Sequence, residues 1–112
     1  MKEDYDWRAG RTAIAPVLPR RGGNAKNRRG IEMSIVYILK SIKDSKYYYG
    51  STENINKRIK DHNAGKVRST KGRRPLVLQY YEEFASMQEA RKRENYFKSI
   101  DGYNWLKKKG II

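Results

Sequence analysis

The chain has 112 residues, a length that fits one compact domain because hydrophobic cores shrink quickly in smaller chains. Its 26 Lys and Arg against 12 Asp and Glu leave a net charge of +14, which favours a polyanionic partner and nucleic acid first of all. Zero cysteines exclude disulfides, thiolate zinc sites and a cysteine nucleophile, which leaves oxygen and imidazole ligands for any metal ion.

The sequence shows no membrane or secretory segment. No apolar run approaches the roughly 18 residues that a spanning helix needs, and the N-terminus lacks the apolar core of a secretory signal. We therefore expect a cytoplasmic protein without a membrane partner. The basic excess by itself does not separate DNA from RNA, or either from an anionic membrane surface, because all three reward counterion release.

Residues 1–32 read differently from the rest of the chain. They contain two of the three prolines, eight Lys or Arg against four acids, and no sustained periodicity. We predict a disordered basic N-terminal segment, either a nucleic-acid arm or a solvated tail. A third interpretation places the native start at Met33.

The remaining residues, 33–112, form the predicted domain. Residues 34–40 and 46–51 are rich in β-branched and aromatic side chains around a short polar turn, which predicts a β-hairpin. Helical spacing follows over residues 54–62, and residues 76–84 after Pro75 predict a third strand.

Two further helices complete the predicted domain. Ser86 and Glu89 have the spacing of a capping box, which predicts a helix that runs to about Ser99, and a short final helix is predicted over residues 103–108. The element order is ββαβαα. We expect an α/β fold in which a small, three-stranded, mainly antiparallel sheet is flanked by helices.

Both longer helices carry polar residues on their apolar faces. On the first helix four residues lie within about 100° of arc: Ile55, Arg58, Ile59 and His62. The planar fork of Arg58 suits a phosphate, and His62 can hold a phosphate oxygen or move a proton. A hydrogen-bonded structural histidine is the alternative.

Glu94 lies on the apolar stripe of the second helix with Met87, Ala90 and Phe97. The neighbouring cations are expected to point mostly elsewhere, namely Arg91, Lys92, Arg93 and Lys98. A buried carboxylate requires a compensating cation, a bound metal or a partly open helix face. A salt bridge to a neighbouring Lys or Arg is the alternative interpretation.

Tyrosines mark the predicted hairpin. Alternation places Tyr48 on the opposite face of the sheet from Tyr47 and Tyr49. A tyrosine such as Tyr37 or Tyr48 can act as a general base only if adjacent cations or a metal lower its pKa. The basic loop after the first helix supplies candidate phosphate contacts, namely Lys66, Arg68, Lys71, Arg73 and Arg74.

These residues together resemble the GIY-YIG nuclease family. Ile35-Val36-Tyr37 and Tyr48-Tyr49-Gly50 stand where the family has its two tripeptides, and they are followed in register by Arg58 and His62. Ala90 to Glu94 is similar to the helix that presents the family's metal-binding Glu. The resemblance covers residues 33–100 and is closest to small stand-alone members. The first tripeptide lacks its Gly, and Tyr49 replaces an aliphatic residue, which is harmless if its ring faces the core.

The resemblance implies a divalent-metal-dependent endonuclease that hydrolyses DNA phosphodiester bonds. In its site, Tyr37 or Tyr48 would be the base that takes a proton from water, and His62 would orient or share that proton. Arg58 would neutralise the scissile phosphate, and Glu94 would hold Mg²⁺ or Mn²⁺. DNA is the expected partner, RNA less so, and no stable protein partner is expected. Low sequence specificity, a preference for particular DNA structures and a setting in DNA repair are expected. The alternative function is a non-catalytic DNA- or RNA-binding module on the same fold.

Overall fold

The structure is a computed structural model that describes residues 13–14 and 33–112. Its elements are β1 (Ala13–Ile14), β2 (Ser34–Ser41), β3 (Tyr47–Thr52), α1 (Ile55–Asn63), a 3₁₀ turn (Lys71–Arg73), β4 (Leu76–Phe84), α2 (Met87–Phe97) and α3 (Ile100–Lys108). The antiparallel sheet has the order β1-β4-β2-β3, so the predicted α/β fold and its ββαβαα order are confirmed. The short β1 is an addition at the β4 edge. The rest of the predicted N-terminal segment lies outside the described residues.

Side-chain caps set the bounds of the helices. Ser86 accepts a hydrogen bond from the Glu89 amide, as the capping box predicts. Ser99 accepts one from the Gly102 amide, so α3 begins at Ile100, earlier than the sequence predicts, and α2 ends at Phe97. None of the helices in the described part of the chain is long and apolar enough to span a membrane.

The central strand β2 is buried on both faces, because a helix layer covers each side of the sheet. The α1 face forms one core cluster, which contains Ile35, Tyr37, Leu39, Ile55, Leu76 and Tyr81. The α2 and α3 face forms the other, which contains Val36, Ile38, Tyr80, Phe97, Leu106 and Ile111. The alternation of β2 therefore supplies both cores.

A register shift in β4 changes which face its side chains take. Leu39 pairs with Leu78, but Ile38 pairs with Tyr80, so Gln79 is an extra residue in β4. Leu78 packs on the α1 side, whereas Tyr80 packs on the α2 side.

A buried ion pair joins β4 to α2. Glu82 is fully buried and accepts hydrogen bonds from Arg93 Nε at 2.9 Å and from the Tyr80 hydroxyl at 2.5 Å. The guanidinium of Arg93 also lies 4.5 Å from the Trp105 ring centroid and 4.8 Å from that of Phe97. The expectation that Arg93 points away from the core is therefore wrong, because a buried carboxylate and a ring cluster draw it inward.

Candidate active site

Tyr37 on β2 lies directly opposite Gly50 on β3. A Cβ atom at Gly50 would lie 2.6 Å from the Tyr37 hydroxyl oxygen, closer than such atoms approach one another. The missing side chain thus lets the Tyr37 ring cross β3 and bring its hydroxyl to α1. Gly50 is needed here for space, and no positive φ is involved.

Gly50→Ala is expected to destabilise the fold by about 1–3 kcal/mol, because the new methyl group must displace the buried Tyr37 ring. Urea denaturation of the parent and the variant measures this change. Gly72→Ala is the matched control, because its Cβ meets nothing within 4 Å. Equal midpoints for the two variants would contradict the close approach of Tyr37 to Gly50.

Tyr37 contacts two polar residues that α1 turns toward the sheet. Arg58 Nε donates to the Tyr37 hydroxyl at 3.3 Å, and that hydroxyl lies 3.1 Å from His62 Nε2. Tyr37 is 1% exposed and His62 is fully buried. The i and i+4 spacing of Arg58 and His62 brings both side chains to one hydroxyl, as the helical arc predicts.

Burial changes the proton affinity of both rings. It raises the pKa of Tyr37 to about 12, although the hydrogen bond from Arg58 opposes that change. Burial, and then the nearby charge of Arg58, lower the pKa of His62 to about 4. His62 is therefore neutral near pH 7, and the lowered pKa that a general base needs is not found at Tyr37.

The low pKa of His62 makes folding stability depend on pH. Between pH 6.5 and about 4 the unfolded chain binds a proton at His62 that the folded chain does not, so the free energy of unfolding falls as pH falls. We expect urea midpoints to decrease from pH 7.5 to pH 5.5 in the parent. The decrease should be smaller in His62→Gln, and equal slopes would contradict a neutral buried His62.

Tyr48 lies on the same face of β3 as Gly50 and is half-buried. Its ring centroid is 4.9 Å from that of His62, and Tyr48 is close enough to Arg58 to contribute to the raised pKa of that guanidinium. Tyr49 faces the other way and packs against Phe97, with ring centroids 6.4 Å apart. The expected facing of Tyr48 and Tyr49 is confirmed.

Glu94 approaches β3 from the opposite side of the sheet. Ser51 Oγ donates to Oε1 of Glu94 at 2.7 Å, and Lys98 Nζ donates to Oε2 at 2.8 Å. The salt bridge that the sequence left as an alternative is thus present, and the Glu94 side chain is 17% exposed. Its charge is close enough to contribute to the raised pKa of Tyr37. Glu94 and the Tyr37 cluster therefore flank the same segment of the edge strand β3.

The basic loop offers exposed cations beside this cluster. Four of the five predicted phosphate contacts are exposed: Lys66, Arg68, Lys71 and Arg74. Arg73 differs, because it is half-buried and donates to the Asp44 carboxylate at 3.3 Å and to the Tyr47 carbonyl at 3.4 Å. Arg73 thus holds the hairpin turn against the loop.

Three polar residues of the site were not predicted. Ser51 holds Glu94, Thr70 lies 2.8 Å from His62 Nδ1, and Asn63 pairs with both backbone groups of Leu76. Alternation from Tyr49 was the available signal for Ser51. No spacing marks Thr70, because it stands in an irregular loop.

Glu94 offers one carboxylate to a metal ion. The described residues contain no group of three or more His, Asp or Glu side chains placed to hold one. Magnesium is compatible with such a donor set, because it commonly binds one or two carboxylates and takes its other ligands from water and phosphate. The hydrogen bond from Lys98 to Glu94 would have to break for that carboxylate oxygen to bind an ion.

The sequence model of the GIY-YIG catalytic domain matches residues 33–104. The match includes both tyrosine tripeptides, α1 and Glu94, which defines a nuclease-type α/β domain. The chain belongs to the GIY-YIG family, whose members are generally endonucleases.

The chain is similar to proteins named UPF0213. The chain is 48% identical over 69 residues to the UPF0213 protein of Clostridium perfringens, covering 61% of this chain and 73% of that protein. It is 48% identical over 73 residues to the one from Staphylococcus haemolyticus, covering 64% and 88%. The protein from Halobacterium salinarum is 38% identical over 69 residues, covering 61% and 88%. No solved structure matches.

Proposed function

We propose that this protein is a divalent-metal-dependent endonuclease that hydrolyses DNA phosphodiester bonds. The observation that carries the proposal is the convergence of Arg58, Tyr37, Tyr48 and His62 on one face of β3, with Glu94 held at the same segment from the other face. A packing role does not require a cation, an imidazole and a carboxylate at a single strand edge. The family match supports the same reaction.

Arg58 is the proposed phosphate ligand. Its Nε donates to the buried Tyr37 hydroxyl, which raises the pKa of a guanidinium that is already charged at neutral pH. The remaining N–H groups of a planar fork suit two phosphate oxygens. Arg58 thus neutralises charge on the scissile phosphate as the bond to the leaving oxygen breaks.

Tyr48 is the better placed of the two candidate bases. It is half-buried and can contact an attacking water, whereas Tyr37 is 1% exposed and has a pKa of about 12. Arg58 lies beside Tyr48, so a phosphate bound by Arg58 would lie next to the water that Tyr48 is proposed to deprotonate.

Glu94 is the proposed ligand of Mg²⁺ or Mn²⁺. When bound, the ion would act as a Lewis acid that stabilises charge on the leaving oxygen. Ser51 fixes one carboxylate oxygen by donating to it, and the other oxygen accepts from Lys98. Without a bound ion, Glu94 forms a salt bridge with Lys98.

DNA is the proposed substrate, cut with low sequence specificity and selected by its structure. The exposed cations of residues 66–74 suit the phosphate backbone, which has the same charge at every base pair. The described part of the chain offers no separate recognition domain that would read base edges. A cytoplasmic location and a role in DNA repair belong to this proposal.

A gel assay tests the proposal directly. The purified protein is incubated with labelled duplex, single-stranded and branched DNA, with Mg²⁺, Mn²⁺ or a chelator, and the products are separated under denaturing conditions. We expect cleavage that requires the metal and differs among DNA structures. Salt-sensitive binding without cleavage on every substrate would instead indicate a non-catalytic module, in which Glu94 is only the partner of Lys98.

A further inference from the structure

His62 forms the centre of a buried chain of side-chain hydrogen bonds. Its Nε2 lies 3.1 Å from the Tyr37 hydroxyl, and its Nδ1 lies 2.8 Å from Oγ1 of Thr70. Thr70 is fully buried, and its hydroxyl donates to the Val67 carbonyl at 3.4 Å. Thr70 therefore joins the basic loop to α1 from a position with no exposure to solvent.

The direction of each hydrogen bond follows from counting donors. Arg58 Nε can only donate, so the Tyr37 oxygen accepts there. The Tyr37 hydroxyl hydrogen is then satisfied only if it donates to an unprotonated Nε2 of His62. The Val67 carbonyl can only accept, so Thr70 donates to it and is left to accept from Nδ1–H of His62.

The opposite tautomer of His62 fits less well. A proton on Nε2 would make the Tyr37 oxygen accept twice, from His62 and from Arg58. The Tyr37 hydroxyl hydrogen would then lack an acceptor among the described residues, in a site where Tyr37 is 1% exposed. An unsatisfied buried hydroxyl costs about 1–3 kcal/mol, which is enough to select one tautomer.

We propose that Thr70 is a positioning residue: it fixes His62 as the neutral Nδ1–H tautomer, so that Tyr37 donates to His62 and presents its oxygen to Arg58. This inference rests on the proposed nuclease function for its catalytic consequence. His62 then serves as a fixed acceptor that positions Arg58 through Tyr37, and it neither takes up nor releases a proton during the reaction. Thr70 orients His62, His62 orients the Tyr37 hydroxyl, and that hydroxyl positions Arg58.

The surroundings of His62 favour this neutral role. Arg58 on its own helix opposes a positive imidazole, and Asp61 favours one to a smaller extent. Among the described residues of the sheet, the rings of Tyr37 and Tyr48 face it. Thr70 on the loop side brings no charge, so an imidazolium at this position lacks a direct carboxylate partner among the described residues.

The 112-residue chain has a single histidine, so the imidazole signals in its NMR spectra belong to His62. Long-range ¹H–¹⁵N spectra of uniformly labelled protein distinguish the two neutral tautomers and the imidazolium. We expect a protonated Nδ1 and a bare Nε2 at pH 7, with no titration down to about pH 5. A protonated Nε2, or titration near pH 6.5, would overturn the proposal.

Two substitutions separate the hydroxyl of Thr70 from its volume. Thr70→Val removes the acceptor for Nδ1–H and should shift the ring toward a mixture of tautomers, whereas Thr70→Ser should preserve the parent spectrum. A Thr70→Val spectrum identical to that of the parent would refute the role of Thr70. These spectra are independent of cleavage, so their outcome stands apart from that of the proposed nuclease.

The catalytic consequence has its own measurement. If Thr70 acts through Arg58, Thr70→Val should lower kcat for DNA cleavage by about 10–100-fold with little change in KM, because Arg58 loses orientation. Thr70→Ser should restore most of the rate, and the pH dependence between pH 5.5 and 7.5 should show no ionisation of His62. A rate unchanged in Thr70→Val would contradict this positioning of Arg58.

Discussion

Glu94→Gln is expected to lower DNA cleavage by on the order of 10²–10³-fold while DNA binding changes by less than about threefold. The amide keeps the shape of the carboxylate and can still accept from Ser51 Oγ, but it loses the charge that holds a divalent ion. Cleavage rates at saturating Mg²⁺ and binding measured in a chelator test both parts. Full cleavage by pure Glu94→Gln would refute the metal assignment.

Two controls isolate this effect. Glu89→Gln removes an exposed carboxylate from the same helix and should leave cleavage unchanged. Lys98→Met removes only the ammonium that binds Oε2 of Glu94, so it should lower the Mg²⁺ concentration needed for half-maximal activity. An exposed pair contributes about 0.2–1 kcal/mol, which corresponds to a decrease of at most about fivefold.

Glu82→Ala is expected to cause the largest loss of stability, about 3–5 kcal/mol, since it removes one partner of a buried ion pair. The variant strands the charge of Arg93 beside the rings of α2 and α3 and leaves a gap beside Tyr80. In a domain of this size the melting temperature should fall by more than about 10 °C.

Thermal unfolding followed by circular dichroism measures that loss. The exposed Glu53→Ala is the control, and its free energy of unfolding should lie within about 0.5 kcal/mol of the parent. A melting temperature for Glu82→Ala close to that of Glu53→Ala would show that water or another group compensates the charge of Arg93.

Short sequence patterns predicted most elements of the fold. The tyrosine-rich runs beside a polar turn predicted the hairpin, and the Ser86 and Glu89 spacing predicted the start of α2. The start of α3 was predicted too late in the chain, because the pattern of α2 continues to about Ser99, which in the structure is the N-cap of α3. Gly102 reads as a helix-weakening residue, yet it allows α3 to approach the Tyr96 carbonyl closely.

The burial of Glu82 could not be read from the sequence. Uninterrupted alternation puts Tyr80 and Glu82 on the face of Leu78, but the extra residue Gln79 moves them to the other face. Such a bulge depends on the pairing of β4 with β2, which no local pattern in β4 specifies. Arg93 was misplaced for the same reason, since its partner was not known to face α2.

Helical periodicity predicted which site residues of α1 lie together. Contacts that depend on the path of a loop or on tertiary packing could not be predicted. The spacing of Arg58 and His62 on α1 places both beside Tyr37, and their roles remain predictions. Thr70 reaches His62 only through the path of the loop after α1. Ser51 meets Glu94 across 43 positions of sequence, a contact that exists only once α2 has packed on the sheet.

The proposed site is divided between the two faces of the sheet, so its residues belong to two separately packed layers. Arg58 and His62 are mounted on the α1 layer, and Glu94 is mounted on the α2 layer, with β3 as their shared boundary. Each layer has its own packing, so substitutions can accumulate in one without repacking the other. A descendant of such a domain can therefore lose Glu94 and keep the phosphate-binding residues of α1. Few substitutions would then separate a nuclease from a protein that binds nucleic acid without cleaving it.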